Sequence, residues 1–423
     1  MSPRVTILAF GTRGDVAPII GLAAGLQGDL GADVSVAAQH PYEQMVTDAG
    51  LEFRLLPRDT ESDTRASEYG QAMVDGPRMR PTKDALAGMR RDLVGVGEAM
   101  AKASADADLV LCEGPVGGLL GWHAAQACGV RSAALMLQPA YPTGDFAPPA
   151  LGTRSFGRFG NRTAWRLGAA GERVFAPLVD DLRASLGLPD QSRSSVQKRK
   201  REWIQLCGFS ESVVARPRDW PESVHITGYW WPDDDSEYQP PAELASFLED
   251  GPPPVYVGLG STALSDGSEI SDMVRAALRA AGRRGLVNRG WANLDGGSDD
   301  PDVLTIDDVP HSWLLPRVSA AIHHCGAGTT AATLRAGIPS VALPGIMDQP
   351  FWALRLHRLG CAPEPIPRTS ATRDNLAAAL SALSDDKGAE YRFRARELAD
   401  HLAREDGVAN AVALVERVLA GSA

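Results

Sequence analysis

The stretch that decides the fold is residues 320–350, AAIHHCGAGTTAATLRAGIPSVALPGIMDQP. It opens with a short apolar run, Ala320–His323, and passes through a glycine-rich turn. A helical pattern over 329–336 follows and stops at Gly337, a residue type that commonly ends helices. A second apolar run, Ser340–Leu343, comes next. Strand, turn, helix and strand in this order are typical of a parallel sheet covered by helices.

The same alternation fills the chain on both sides of this stretch. Further strands are predicted at Val5–Phe10, Asp33–Ala38, Leu109–Cys112, Ser132–Leu137, Val255–Gly258, Gly285–Asn288 and Val303–Ile306. Helices are predicted from about Val16 and over 268–282, 349–359, 373–384 and 390–420. The pattern therefore predicts an α/β protein of two tandem Rossmann-like doubly wound domains, with a cleft between them.

Proline, tryptophan and charged residues concentrate between these two halves. They occur at Arg216–Pro221 and again at Trp230–Asp235, and we interpret residues 216–241 as a linker region. This leaves an N-terminal domain over 1–215 and a second domain over 242–405.

Composition excludes several classes of protein. With 423 residues, 44% hydrophobic and 22% charged, the chain is long enough and apolar enough for a packed core in each domain. Its 42 basic and 53 acidic residues give a net charge of −11. This charge argues against non-specific binding to nucleic acid or to an anionic membrane surface, so any anion site must be local.

The cysteine pattern and the N-terminus predict a cytoplasmic protein. The five cysteines include no CxxC pair, which is typical of reduced thiols and gives no sign of structural zinc. The apolar segment that ends at Phe10 is too short for a signal peptide, and no apolar run approaches the ~20 residues that span a bilayer.

The turn that starts at His323-His324 has the features of a phosphate site. Glycines allow a ligand to approach the backbone, and the first N–H groups of the following helix attract phosphate. His324 can add another donor. A tight turn with a buried core histidine explains the same residues equally well.

A second candidate turn is Gly11-Thr12-Arg13-Gly14-Asp15-Val16-Ala17-Pro18. Arg13 can pair with a phosphate oxygen, and Asp15 can accept a proton from a hydroxyl. An acidic residue before a helix with proline in its first turn is also an ordinary N-cap. On this turn alone, the cap is the favoured interpretation.

Two more turns follow strands of the second half. Asp348 and Gln349 place a carboxylate beside an amide, a pair that can bind a polyol, although Asp348 can also simply cap the helix that starts at Gln349. Ser261 and Thr262 follow the glycine turn after Val257, where ordinary loop chemistry is an equal explanation.

In this order and at these spacings, the turns resemble the nucleotide-sugar-dependent glycosyltransferases of the GT-B fold. They are most similar to the branch that contains sterol glucosyltransferases and the enzymes that glycosylate vancomycin-type antibiotics. The resemblance covers nearly the whole chain. Its most specific marks are Gly11–Pro18, the segments Arg216–Pro221 and Thr227–Trp230, and His323–Gln349 with its HxGxGT, AGxP and DQ motifs.

The resemblance implies a role for each half. The N-terminal domain binds the acceptor, the second domain binds the activated sugar, and the last helix, 406–423, crosses back to the first domain. The implied donor-binding residues are Arg13, Gly14, Ser261, Thr262, Val309, His324, Gly326, Ala327, Gly328, Thr329, Asp348 and Gln349. Among these, Val309 meets the nucleobase, His324 and its glycine turn meet the diphosphate, and Asp348 with Gln349 holds sugar hydroxyls.

The resemblance also implies a mechanism. Asp15 matches the proposed catalytic base, and Thr12 is placed to orient an acceptor or a water. Plant relatives carry histidine at this position, so the chain departs from them and agrees with the sterol and vancomycin branch. Whether Asp15 acts directly or through water stays open. The implied reaction is a single inverting displacement with no metal and no cofactor beyond the sugar nucleotide.

The acceptor is inferred from the segment after Leu135, which resembles the acceptor-pocket segment of the sterol branch. Its expected contact residues are Gln138, Pro139, Tyr141 and Phe146. An apolar, aromatic segment suits a lipophilic aglycone of the polyketide or macrolide, sterol or terpenoid type.

The predicted function is therefore transfer of a hexose or deoxyhexose from a UDP- or TDP-sugar to a hydroxyl of such a compound. The expected partners include neither nucleic acid nor an integral membrane contact, and the expected assembly is a monomer or a homodimer. The alternatives are a nucleotide-sugar epimerase or hydrolase on the same fold, and a non-catalytic small-molecule binder.

Overall fold

The computed structural model describes residues 2–66, 83–151, 154–232, 238–260, 266–297, 300–384 and 386–421. Within these residues the chain forms two sheets, both entirely parallel. Side chains from alternate positions of β1 (Arg4–Leu8) enter different clusters, Val5 and Ile7 in one and Leu8 in another. Apolar side chains therefore cover both faces of the sheet, as parallel sheets require.

The first sheet has seven strands in the order β3-β2-β1-β4-β5-β6-β7. After β1 its strands are β2 Asp33–Gln39, β3 Glu52–Leu56, β4 Leu109–Glu113, β5 Arg131–Met136, β6 Gln205–Cys207 and β7 Val224–Ile226. The chain order reverses direction between β1 and β4. Ligands of doubly wound sheets bind at this switch point, outside the carboxyl ends of the strands.

The second sheet has five strands in the order β10-β9-β8-β11-β12. They are β8 Val255–Gly258, β9 Gly285–Asn288, β10 Val303–Ile306, β11 Ala320–His323 and β12 Ser340–Ala342. Its switch point lies between β8 and β11. The predicted fold class, two doubly wound α/β sheets, is confirmed.

Helices connect the strands of both sheets. In the first half they are α1 Arg13–Gly28, α2 Glu43–Asp48, α3 Thr60–Ala66, α4 Lys83–Asp92, α5 Val96–Ala103, α6 Gly114–Val116, α7 Trp122–Cys128, α8 Gly157–Gly171, α9 Ala176–Ser185 and α10 Arg193–Glu202. In the second half they are α11 Ala242–Glu249, α12 Gly267–Ala280, α13 His311–Leu314, α14 Ala327–Arg335, α15 Gln349–Arg358, α16 Arg373–Ala382, α17 Asp386–Leu402 and α18 Gly407–Ala420.

Several elements differ from the sequence prediction. The helix predicted over 390–420 is two helices, because Asp406 accepts a hydrogen bond from the Ala409 amide and starts α18 as a new helix. Strands β3, β6 and β7 were not predicted. Strand β7 lies inside the segment interpreted as a linker, so the first sheet extends further along the chain than the proline pattern indicates.

The last helix packs on the first sheet rather than on the second. Ala411, Leu414 and Val415 of α18 are buried in the same cluster as β1 and α1. Contact with α1 is close at Gly25, where an added Cβ would lie 2.1 Å from the Val408 side chain. The apolar face of the first sheet is therefore completed by the C-terminal end of the chain.

A shared apolar cluster joins the two halves. Phe209 and Trp220, from the part of the chain around β6 and β7, pack with Phe351 and Trp352 of α15. No helix in the described part of the chain is both long enough and apolar enough to cross a membrane.

Candidate active site

The carboxyl ends of the two sheets meet across a cleft. From the first half, the Arg13 guanidinium donates to Asp308 Oδ2 at 2.5 Å, and Arg65 Nη2 donates to the Trp291 carbonyl at 2.6 Å. The Asp15 carboxylate also lies close enough to Asp348 to raise the pKa of that carboxyl group. The turn that carries Arg13 and Asp15 therefore faces the segments of the second half around Asp308 and Asp348.

Asp15 is held by the start of α1. Its Oδ2 accepts hydrogen bonds from the Thr12 amide at 2.5 Å and from Thr12 Oγ1 at 3.0 Å. Thr12 Oγ1 in turn accepts from the Gly14 amide, and together these bonds form a capping box at the start of α1. The N-cap residue is Thr12 and not Asp15 as the sequence predicted, because α1 begins at Arg13 and Asp15 is the third residue of its first turn. Among the described residues, no donor reaches Oδ1, so half of the carboxylate stays available to a ligand.

The environment makes Asp15 a stronger base than a surface carboxylate. Desolvation in the cleft wall raises its pKa, while the two hydrogen bonds from Thr12 oppose that rise. Gly11 leaves the necessary room, because a Cβ there would lie 2.2 Å from Asp15 Oδ2.

Glu113 is a functional candidate that the sequence analysis missed. It ends β4, the strand beside β1 at the switch point, and only 2% of it is exposed. Its Oε2 has no hydrogen-bond partner within the described part of the chain. Burial and the nearby Asp15 carboxylate raise the pKa of Glu113 far above its usual range. The sequence pattern that could have predicted it is a carboxylate directly after the apolar run Leu109–Cys112, at the end of a predicted strand.

His324 lies in a cradle made by two glycines. A Cβ on Gly260 would lie 2.6 Å from its Cε1, and a Cβ on Gly326 would lie 2.5 Å from its Nε2. The next residue, Cys325, takes a left-handed backbone conformation with φ 63°. His324 Nδ1 is buried without a hydrogen-bond partner among the described residues. A buried nitrogen without a protein partner is available to a bound ligand or to water.

His324 is neutral at physiological pH. Burial lowers its pKa to about 4, with a further lowering from His311, while contact with the Gly258 carbonyl opposes the shift. The ring therefore offers a neutral N–H rather than a positive charge. Its neighbour His323 is the core histidine of the alternative interpretation, because it is fully buried and its Nε2 lies 3.0 Å from Ser340 Oγ.

Helix α14 begins directly after this histidine with its first turn open. Its N-cap, Gly326, has no side chain to satisfy the first amides. Within the described part of the chain no side chain caps the N–H groups of Ala327, Gly328 and Thr329, so they can bind an anion, aided by the helix dipole.

Asp348 and Gln349 are braced from within their own loop and helix. Gln349 Oε1 accepts from the amides of Gly345 and Ile346, at 2.8 and 3.2 Å. Asp348 Oδ2 accepts from Trp352 Nε1 at 2.7 Å. Asp348 occupies the N-cap position of α15, but its side chain caps no backbone amide, so the capping explanation is wrong for this residue. Burial raises its pKa to about 6.

In this structure the Arg13 guanidinium contacts the segment that follows β10. It is paired with Asp308, next to the predicted base-contacting residue Val309, and both charged side chains are more than half exposed. Val309 packs partly against the cluster beside β10. Ser261 and Thr262 lie outside the described residues.

The predicted acceptor residues divide into two groups. Gln138 and Tyr141 are partly exposed after β5, and Pro139 between them is buried. Phe146 is only 7% exposed, and its ring packs 5.4 Å from Phe351, centroid to centroid. Phe146 is therefore a residue of the shared apolar cluster, and its role as an acceptor contact stays a prediction. An aromatic residue in a loop gave no sign that a second domain would cover it.

Two parallel doubly wound sheets with a cleft between their carboxyl ends form the GT-B fold. Solved structures show the same arrangement over almost the whole chain. The glycosyltransferase of kitacinnamycin has a TM-score of 0.72 at 20% identity, covering 99% of this chain and 100% of its own. A Streptomyces sp. SF2575 glycosyltransferase complexed with thymidine diphosphate has a TM-score of 0.61 at 20% identity, covering 98% and 99%.

Sequence comparison places the chain within this class. Residues 294–416 match the family of erythromycin biosynthesis protein CIII-like C-terminal domains. The O-mycaminosyltylonolide 6-deoxyallosyltransferase of Streptomyces fradiae is 35% identical over 98% of this chain and 97% of its own length. A sterol 3-beta-glucosyltransferase of Arabidopsis thaliana is 31% identical over 97% of this chain, which spans 64% of that relative. The chain belongs to this family of macrolide and sterol glycosyltransferases.

Proposed function

We propose that the protein is an inverting glycosyltransferase that moves a hexose or deoxyhexose from a UDP- or TDP-sugar to a hydroxyl of a lipophilic natural product. The Streptomyces relative is a 6-deoxyallosyltransferase, which supports a deoxyhexose donor. The neighbour that carries thymidine diphosphate supports a TDP-linked sugar. Macrolide, sterol and terpenoid acceptors all fit a lipophilic product class.

The observation that carries the proposal is the placement of Asp15. Asp15 lies in the first half, and its Oδ1 accepts no hydrogen bond from the described residues. Asp348 of the second half is close enough for the Asp15 charge to raise its pKa. A base that faces the sugar-binding side of a cleft can take a proton from an acceptor hydroxyl as the glycosidic bond forms. Its raised pKa improves it for this task, because a base works best with a pKa near the working pH.

Glu113 has a supporting role in this proposal. Burial and the neighbouring Asp15 carboxylate raise the pKa of Glu113 well above its usual range, which favours the neutral carboxylic acid over a second negative charge beside Asp15. Glu113→Gln preserves the neutral state and the shape. This variant should therefore keep most of its turnover near pH 7.

The second half carries groups that can stabilise the negative charge on the leaving diphosphate. The open amides of α14 face it with fixed dipoles, and His324 adds a neutral N–H. Arg13 can join them only after it leaves Asp308. No group of three or more His, Cys, Asp or Glu within the described residues is arranged to hold a metal ion. Metal-independent turnover remains a prediction, and measuring activity in excess EDTA tests it.

The proposal is tested by incubating the protein with TDP- and UDP-sugars and a set of hydroxylated macrolides, sterols and terpenoids. Mass spectrometry detects the added sugar, and NMR of the product gives the anomeric configuration. We expect a product whose configuration is inverted relative to the donor. A retained configuration would contradict the single displacement.

Reactions without acceptor distinguish the other activities. Nucleotide diphosphate release without any glycoside would indicate a hydrolase, and conversion of the donor to an isomeric sugar would indicate an epimerase. Nucleotide binding with no turnover on any pair would favour a non-catalytic binder.

A further inference from the structure

Helix α8 presents apolar side chains to solvent. Phe159 is 81% exposed and Leu167 is 69% exposed, and Phe156, just before the helix, is 52% exposed. Positions 159 and 167 lie two turns apart on the outward side. We call Phe156, Phe159 and Leu167 the apolar stripe. Exposed apolar side chains that are grouped in this way are typical of interaction surfaces.

The opposite side of α8 is fixed to the protein. Asn161 is buried, and its Nδ2 donates to the Gly144 carbonyl at 2.9 Å. Trp165 Nε1 donates to the Phe146 carbonyl at 2.9 Å. The helix therefore sits firmly on the loop that follows β5, and the stripe faces outward because the inward face is already occupied.

The charge around the stripe is opposite in sign to that of the whole chain. Residues 146–171 contain four arginines and no lysine, aspartate or glutamate, while the full chain has a net charge of −11. Arg158 pairs with Asp145 and Arg162 pairs with Asp219. The exposed Arg154 and Arg166 have no ion-pair partner within the described residues.

We propose that α8 docks the protein on a lipid surface with anionic headgroups. Aromatic and leucine side chains between arginines are the composition of helices that lie in the plane of a membrane interface. The three side chains of the stripe can cover at most several hundred Å², since each buries roughly 150–250 Å². This is below the roughly 800 Å² per partner of a stable protein interface. A membrane surface can bind a patch of this size, whereas a stable interface with a protein partner or a second copy requires a larger buried area.

Docking through α8 would bring the loop after β5 to the lipid surface. A lipophilic acceptor concentrates in lipid, so the helix would place the acceptor side of the cleft at its source. This consequence rests on the proposed function. The docking itself does not, because it can be measured without donor or acceptor.

The test is sedimentation of the full-length protein with vesicles of phosphatidylcholine alone and of phosphatidylcholine with phosphatidylglycerol. We expect binding to the anionic vesicles only, and release as NaCl rises from about 0.1 to about 0.5 M, since salt screens the arginines. The double variant Phe159→Asp/Leu167→Asp should lower the partition coefficient at least about tenfold. Phe393→Asp is the matched control, because that phenylalanine is 62% exposed on α17.

Three results would overturn the proposal. The wild-type protein could stay in solution with anionic vesicles, or the double variant could sediment as the wild type does. A change of oligomeric state in the double variant, seen by light scattering, would assign the stripe to self-association instead. Circular dichroism and thermal melting of each variant separate loss of docking from loss of fold. A glycosyltransfer assay with a water-soluble acceptor shows whether the active site is intact.

Discussion

Substituting Asp15 separates the capping role that the structure shows from the catalytic role that we propose for the same carboxylate. Its Oδ2 belongs to the capping box of α1, while its Oδ1 has no hydrogen-bond donor among the described residues. Asp15→Asn keeps an oxygen that can accept from the Thr12 amide but cannot take a proton from an acceptor. Asp15→Ala removes both functions.

The two roles predict different magnitudes. General base catalysis contributes about 10²–10⁴ in rate, so Asp15→Asn should lower kcat by roughly a thousandfold, or about 4 kcal/mol in the barrier. Its free energy of unfolding should change by less than about 1 kcal/mol, because a capping acceptor remains. Asp15→Ala should lose as much activity and in addition about 1 kcal/mol of stability, the usual contribution of a helix cap.

The assays are steady-state turnover by mass spectrometry, urea unfolding, and calorimetric titration with TDP and UDP. Nucleotide affinity should stay near the wild-type value in both variants, because Asp15 belongs to the acceptor half. If Asp15→Asn keeps more than about a tenth of wild-type turnover, the carboxylate is a cap and not the base. If nucleotide affinity falls as well, the substitution has changed the donor site, and the loss of turnover cannot be assigned to the missing base.

Three further predictions concern the donor side. His324→Ala should weaken nucleotide diphosphate binding roughly tenfold or more in calorimetry, because hydrogen bonds to charged groups contribute about 1.5–3 kcal/mol, and unchanged affinity would refute the role of the ring. Trp352→Phe removes the N–H donor that lowers the pKa of Asp348, so the acid limb of donor-sugar binding, set by a pKa of about 6, should move to higher pH. A pH profile identical to the wild type would count against this reading. Asp308→Ala should change stability by no more than about 0.5 kcal/mol, because the pair with Arg13 is exposed, and should tighten nucleotide binding, whereas weaker binding would show that Asp308 itself helps to hold the nucleotide.

The sequence was most informative about the second sheet. The predicted strands Gly285–Asn288, Val303–Ile306 and Ala320–His323 agree with the structure at both ends. Each is a short apolar run with a polar or glycine boundary, and buried parallel strands are recognised by this pattern. Strands β6 and β7 have three residues each and were missed, whereas β12, which is equally short, was found because it lies in the apolar run Ser340–Leu343.

The candidate site was predictable only in its local parts. The turn that carries Asp15 and the turn that carries His324 each follow a predicted strand, so their place at the sheet edge follows from the sequence. Contacts between the two halves cannot be predicted from local sequence patterns, because they depend on how the two folded units pack against each other. The pairing of Arg13 with Asp308 and the burial of Phe146 under α15 are such contacts.

The packing of α18 against α1 and β1 sets an order of events during synthesis. The first sheet leaves the ribosome well before the helix that covers part of its apolar face, because the whole second sheet is translated in between. At a translation rate of roughly 5–20 residues per second, α18 is synthesised on the order of ten seconds or more after the first sheet. During that interval the unfinished face needs protection from aggregation. For the same reason, a cut between the halves would not yield two self-sufficient fragments, and α18 would have to be reattached to the N-terminal piece before that piece could be studied alone.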